Sequence, residues 1–204
     1  MSIVRSGDVQ YERDPAAITA KSFAIIRSEA DFSRFGDNSP VAERVVHAAG
    51  DLAILEKLVI SGAIVAATKA ALSAGAMVVT DSEMARHAVS RRAVPSERVL
   101  CRLNDPGTPE QAKLAGTTRS AIAIRRAADA LDGGIAVIGN APTSLFTLFE
   151  LMREGIAPAA IFAFPVGFVG AAESKAALVA LSPPMPFVTL SGRRGGSAMA
   201  GAAF

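Results

Sequence analysis

The chain is poor in the residues that most often announce a function. Its 204 residues include one cysteine (Cys101), one tyrosine, two histidines and no tryptophan. A single cysteine excludes an internal disulfide and a cysteine-rich zinc site. With so little Trp and Tyr, platforms for base stacking are scarce. The balance of 21 basic against 19 acidic residues, a net charge of +2, is no nucleic-acid footprint. No segment offers the roughly 20 unbroken apolar residues of a membrane span. The opening MSIVRSGDVQYERDP lacks the apolar core of a signal peptide. The expectation is a cytoplasmic protein with no nucleic-acid or membrane partner.

What is present is apolar and small. Half of the residues are hydrophobic and the mean hydropathy is +0.35. The excess is Ala and Val, which suits strands buried on both faces and an oligomer interface. The length suits one domain spanning residues 1–204, and neither a repeat nor a low-complexity linker divides it.

Helical and extended patterns alternate along the chain. PAAITAKSFAIIRSEA has helical spacing, with Phe23, Ile26 and Ala30 on one face. SPVAERVVHAAGD reads as a helix with Ser39 as N-cap and Pro40 at its first position, ending at Gly50. DLAILEKLVI reads as a further helix, and GAIVAATKAALSAG follows it. Four segments then repeat one form: AMVVT, GIAVIG, AAIFAF and PFVTL each run into a turn-rich loop and a helical pattern. A fifth strand, RVLCRL, precedes a long helical stretch that begins at NDPGTPEQ. Such alternation predicts an α/β fold, a mainly parallel sheet covered on both faces. Ligands then bind outside the carboxyl ends of the strands.

The loops at those ends carry the candidate binding residues. In PVGFVGAAESK, Gly167 and Gly170 let the backbone approach a ligand, Phe168 and Val169 lie between them, and Glu173 and Lys175 follow in the helix start. SGRRGGS repeats the device with Gly192, Arg193, Arg194, Gly195 and Gly196, and GNAPTS adds Asn140 and Thr143. Helix starts favour anions, so three such loops suggest an anionic ligand, a polycarboxylate among the options; tight strand–helix turns would use the same glycines. A P-loop would require Gly-Lys-Ser/Thr, whereas the order here is Glu173-Ser174-Lys175. No GxGxxG follows a strand and no GxSxG elbow occurs, so neither ATP, NAD nor serine hydrolysis is indicated. His47 and His87 are the candidate proton carriers. His47 is preferred because Ala48, Ala49 and Gly50 leave room beside it. Arg119, among Thr117, Thr118 and Ser120, marks another helix start where an anion could sit. No metal site is expected.

Taken in order, SFAIIRSEAD, VVHAAGD, TDSEMARHAVSR, TRSA, IGNAPTSLF, PVGFVGAAESK and GRRGGSAM resemble the precorrin-8X methylmutase family of cobalamin biosynthesis. The resemblance covers residues from about 11 to 199. It implies a three-layer α/β/α homodimer with no cofactor, a tetrapyrrole as substrate and product, and hand-over to the next pathway enzyme. It implies an isomerase that moves a methyl group between adjacent carbons at ring C, giving hydrogenobyrinate. The family's catalytic histidine falls on His47 and its active-site arginine on Arg119, with Ser22 added to the substrate contacts. Rival readings are a cobalt-precorrin-8 methylmutase, a non-catalytic tetrapyrrole-binding protein, or an unrelated α/β enzyme acting on a small anion. The chain closes on GGSAMAGAAF, which leaves a short last helix.

Overall fold

Short, wholly buried apolar runs build the centre of the molecule. The computed structural model describes residues 11–90 and 92–204. Within them the strands are β1 (Leu58–Ile60), β2 (Val78–Thr80), β3 (Val99–Leu100), β4 (Ile135–Ile138), β5 (Ala160–Ala163) and β6 (Phe187–Leu190). They form one sheet in the order β1-β6-β5-β4-β2-β3. All neighbours are parallel except β1, which runs antiparallel to β6 with Val59 opposite Thr189.

Every residue of β4, β5 and β6 is buried, and successive side chains supply opposite cores. Ile135, Val137, Phe162, Val188 and Leu190 join one core. Ala136, Ile138, Ile161, Ala163 and Phe187 join the other. The first core is closed by α1 (Pro15–Glu29), α2 (Ser39–Ala49), α3 (Ile64–Ser73) and α10 (Ser197–Ala203). The second is closed by α6 (Arg119–Arg125), α7 (Ala128–Leu131), α8 (Pro142–Arg153) and α9 (Ala171–Leu181). α4 (Glu83–Ala88) packs beside α10, and α5 (Thr108–Leu114) packs beside α6. The result is the expected three-layer α/β/α domain. Fully burying one Val, Ile or Phe side chain contributes about 1.5–3 kcal/mol, so the two cores dominate stability. Among the described residues no helix is long and apolar enough to cross a membrane.

α2 is the element that matters most for the site. Val41, Ala42, Val45 and Val46 put its apolar stripe against the core. It stops at Gly50, whose φ of 62° lies in the left-handed region and whose N–H reaches the Val46 carbonyl.

Two local expectations are corrected. Asn38, not Ser39, precedes α2 as its cap; the Ser39 hydroxyl instead donates to the carbonyls of Phe32 and Gly36. DLAILEKLVI is not one helix. Leu52–Lys57 forms a 3-10 turn and Leu58–Ile60 becomes the edge strand, because β6 offers an unpaired edge beside it.

Candidate active site

His47 occupies the last turn of α2 and is held from α1. Its Nδ1 lies 2.9 Å from Ser22 Oγ. Its ring stacks on Phe23, with centroids 4.9 Å apart and planes 11° from parallel. The guanidinium carbons of Arg27 and Arg44 lie 5.8 and 5.7 Å from the Phe23 centroid. Arg27 is itself fixed by a two-pronged pair with Glu43, at 2.7 Å for the closest contact. These contacts fix the imidazole plane while leaving the side chain exposed. Among the described residues Nε2 has no hydrogen-bond partner, so it is the nitrogen free to exchange a proton with a ligand. The ring lines a cavity of about 360 Å³ with Ser22, Ile25, Glu29 and Asp51.

Asp51 also lines a second cavity, of about 310 Å³, with Val166, Arg194, Gly195 and Met199. Arg194 Nη1 donates to Asp51 Oδ2, and Asp51 Oδ1 accepts the Ala53 N–H at 2.9 Å. The Arg194 bond, with help from the Ala53 N–H, holds the Asp51 carboxyl below its ordinary range. Asp51 stands four residues after His47 but lies beyond the end of α2 in extended conformation, so the two side chains do not share a helix face, and its carboxylate accepts from Arg194. Sequence reasoning named Arg194 as part of the glycine-rich loop but missed Asp51 and the pairing; the only signal for Asp51 was an acid just past the helix end.

Gly195 closes this wall by approach. A Cβ there would stand 2.3 Å from the Phe164 carbonyl oxygen. Gly196 donates to that same carbonyl at 2.8 Å. Beneath the loop, Lys175 is fully buried and donates from Nζ to the Arg194 carbonyl. Burial pushes its amine down to about 8. Lys175 therefore supports the loop from below, and its bond goes to a carbonyl rather than to Glu173, which is exposed in the first turn of α9.

The remaining residues sit in two groups. Phe168 and Val169 are 82% and 88% exposed, between Gly167 (φ 141°) and Gly170 (φ 80°). Arg193 lies over the Phe168 ring at 5.3 Å, and its carbonyl accepts the Gly167 N–H at 3.2 Å. The two glycine-rich loops are thus joined. Arg119 and Thr143 form another group, on the α6/α8 side of the sheet. Arg119 donates to the Leu103 carbonyl at 3.0 Å and to Asn104 Oδ1 at 2.6 Å. Thr143 Oγ1 lies 2.7 Å from Thr118 Oγ1.

The start of α8 differs from its expected use. Asp81, fully buried at the end of β2, accepts the N–H groups of Gly139, Asn140 and Ala141 at 2.9, 2.9 and 2.6 Å. An internal carboxylate already fills that anion position, so the exposed Asn140 offers a ligand its side chain rather than its N–H. Burial pushes the Asp81 carboxyl up, against the pull of these three donors.

Residues 17–204 match the precorrin-8X methylmutase family. The chain is 48% identical to a precorrin-8X methylmutase from a Sinorhizobium species, covering 96% of this chain and 95% of that one. It is 46% identical to a precorrin-8X methylmutase of Pseudomonas aeruginosa, with the same two coverages. A precorrin-8X methylmutase structure from Thermus thermophilus superposes with a TM-score of 0.82 at 35% identity, covering 92% of each chain. The chain belongs to the precorrin-8X methylmutase family.

Proposed function

We propose that this protein is the isomerase of cobalamin biosynthesis that converts precorrin-8X to hydrogenobyrinate by moving a methyl group between adjacent ring C carbons, with His47 as the proton donor. The observation that supports the role of His47 most directly is its setting: one ring nitrogen held by Ser22, one face stacked on Phe23, and the other nitrogen free in a cleft. Migration breaks one carbon–carbon bond and forms another, so substrate and product have the same composition. Protonating the conjugated macrocycle draws electron density toward the proton and eases the shift. The macrocycle returns a proton once the methyl group has moved, and the imidazole is regenerated. Arg119, Arg193, Asn140, Thr143 and the loop glycines hold carboxylate side chains around the ring, while Phe168 and Val169 cover its flat face.

A metal-free substrate is the better reading. The relatives named for precorrin-8X are 48% and 46% identical, whereas cobalt-precorrin-8 methylmutases of Priestia megaterium and Salmonella typhimurium are 36% and 34% identical. The protein works in the cytoplasm as a homodimer and retains its product for the next enzyme.

The His47→Ala variant tests the role. Loss of a general acid lowers the rate by about 10²–10⁴-fold, while hydrogenobyrinate binding, which rests on other contacts, persists in an absorbance titration. Near-normal turnover by the variant would remove His47 from the chemistry. A wild-type protein that binds hydrogenobyrinate without converting precorrin-8X would favour the non-catalytic reading.

A further inference from the structure

We infer that Arg194 is a carboxylate-recognition residue for the tetrapyrrole, and that Asp51 occupies it as an internal stand-in until the substrate arrives. The inference rests on the proposed function, which supplies a ligand with several carboxylate side chains. Its geometry is independent of that reading.

Asp51 is the residue shared by the two cavities, one containing His47 and the other bounded by Arg194 and Gly195. Each cavity, at about 360 and 310 Å³, is at the low end of the ~300–1,000 Å³ typical of ligand pockets. The Asp51–Arg194 ion pair lies where they meet. A macrocycle reaching His47 while its periphery extends along the β6–α10 loop must cross this pair.

The two partners are not equally fixed. Asp51 caps the 3-10 turn Leu52–Lys57 through the Ala53 N–H, which ties its carboxylate to the start of that turn. Arg194 has its backbone pinned by the buried Lys175 and by the close approach of Gly195, yet its side chain remains 60% exposed. A guanidinium has five N–H donors, and Asp51 receives one of Arg194's. The side chain can therefore turn its fork to a ligand carboxylate without disturbing the loop that carries it. With Arg194 open to solvent, the pair contributes little to stability, so exchanging its anion is inexpensive.

The test is a double-substitution cycle read by hydrogenobyrinate dissociation constants. Arg194→Gln weakens binding roughly 10-fold or more, the order of one charge-assisted carboxylate contact. Asp51→Asn tightens binding, by about 3- to 10-fold at low salt, because a competing anion leaves the guanidinium. In the Asp51→Asn/Arg194→Gln protein the gain from Asp51→Asn vanishes. Circular dichroism and melting curves of each variant check that the fold is kept, and Arg194→Lys, which retains charge without the fork, gives an intermediate affinity. If Asp51→Asn and Arg194→Gln both weaken binding, the pair is a structural clamp and the inference fails. It also fails if the gain from Asp51→Asn survives without Arg194, since Asp51 would then act by repulsion alone. Wild-type protein that does not bind hydrogenobyrinate at all would overturn the proposed function and this inference together.

Discussion

Lys175 shows how one residue can serve the site without facing it. Its side chain is fully buried, and its ammonium contacts the carbonyl of Arg194. Its amine titrates at about 8 instead of the ordinary 10.5, for the single reason that burial penalises charge. Between those values the unfolded chain binds more protons than the folded one, so the lysine's contribution to stability rises with pH through that window. Below about pH 8 the cost of burying the charged amine is present in full. Urea unfolding of wild type and of Lys175→Met at pH 7 and pH 9.5 isolates the effect, because every other titration is common to both proteins. Wild type is expected to gain stability relative to Lys175→Met at the higher pH; a difference that does not change with pH would place the amine in water. Asp81 poses the reverse case, an acid with three backbone donors. Asp81→Ala leaves three N–H groups near the start of α8 unpaired, at about 1–3 kcal/mol for each that stays buried. The expected result is a lower melting temperature, with Asp81→Asn milder because its carbonyl oxygen still accepts.

At the scale of elements, legibility followed the range of the interactions. β2, β4, β5 and β6 were readable because β-branched runs ending in glycine-rich or acidic turns carry the whole signal locally. α2 was readable from Pro40 to Gly50 for the same reason. β1 was not, since LAILEKLVI spaces its apolar residues as well for a helix as for a strand, and only pairing with β6 decides the matter. The candidate site divides along the same line. His47 and the two glycine loops stand out in sequence. Asp81 does not, because its partners lie 58–60 residues away and an acid next to Ser82 looks like part of a helix cap. The pairing of Asp51 with Arg194 spans 143 residues and is equally invisible from the chain alone. Within the β6–α10 loop, Gly195 is required by space rather than by dihedral angle, as its missing Cβ would meet the Phe164 and Pro165 carbonyl oxygens at 2.3 and 2.6 Å. Gly195→Ala must therefore displace the loop that carries Arg194. It is expected to weaken hydrogenobyrinate binding as much as Arg194→Gln does while far-UV circular dichroism stays unchanged; unaltered affinity would show that the loop's position is not needed.

At the scale of the whole molecule, the distribution of exposed apolar groups argues for a second copy over the cleft. Ile18 and Ile25 are two helical turns apart on α1 and both are exposed, while Ile26 faces the core. Ile25 also lines the His47 cavity. The outward stripe of α1 is thus continuous with the cleft wall, and Val166, Phe168 and Val169 add exposed apolar surface in the β5–α9 loop. A net charge of only +2 gives little repulsion between copies. A partner seated on α1 would bury this stripe and narrow the opening beside His47, which is how a dimer could complete the pocket. Stable homodimers bury at least about 1,200 Å² in total, more than two isoleucines supply, so the interface must extend from α1 along the cleft rim. Sedimentation at micromolar concentration is expected to give twice the 21.0 kDa chain mass. Ile18→Lys, which does not line the cavity, should shift that species toward monomer and lower turnover in proportion, with activity recovering as protein concentration rises. A wild-type monomer with full activity would show that one chain encloses the substrate alone, and a monomeric Ile18→Lys protein with undiminished turnover at every concentration would separate assembly from catalysis.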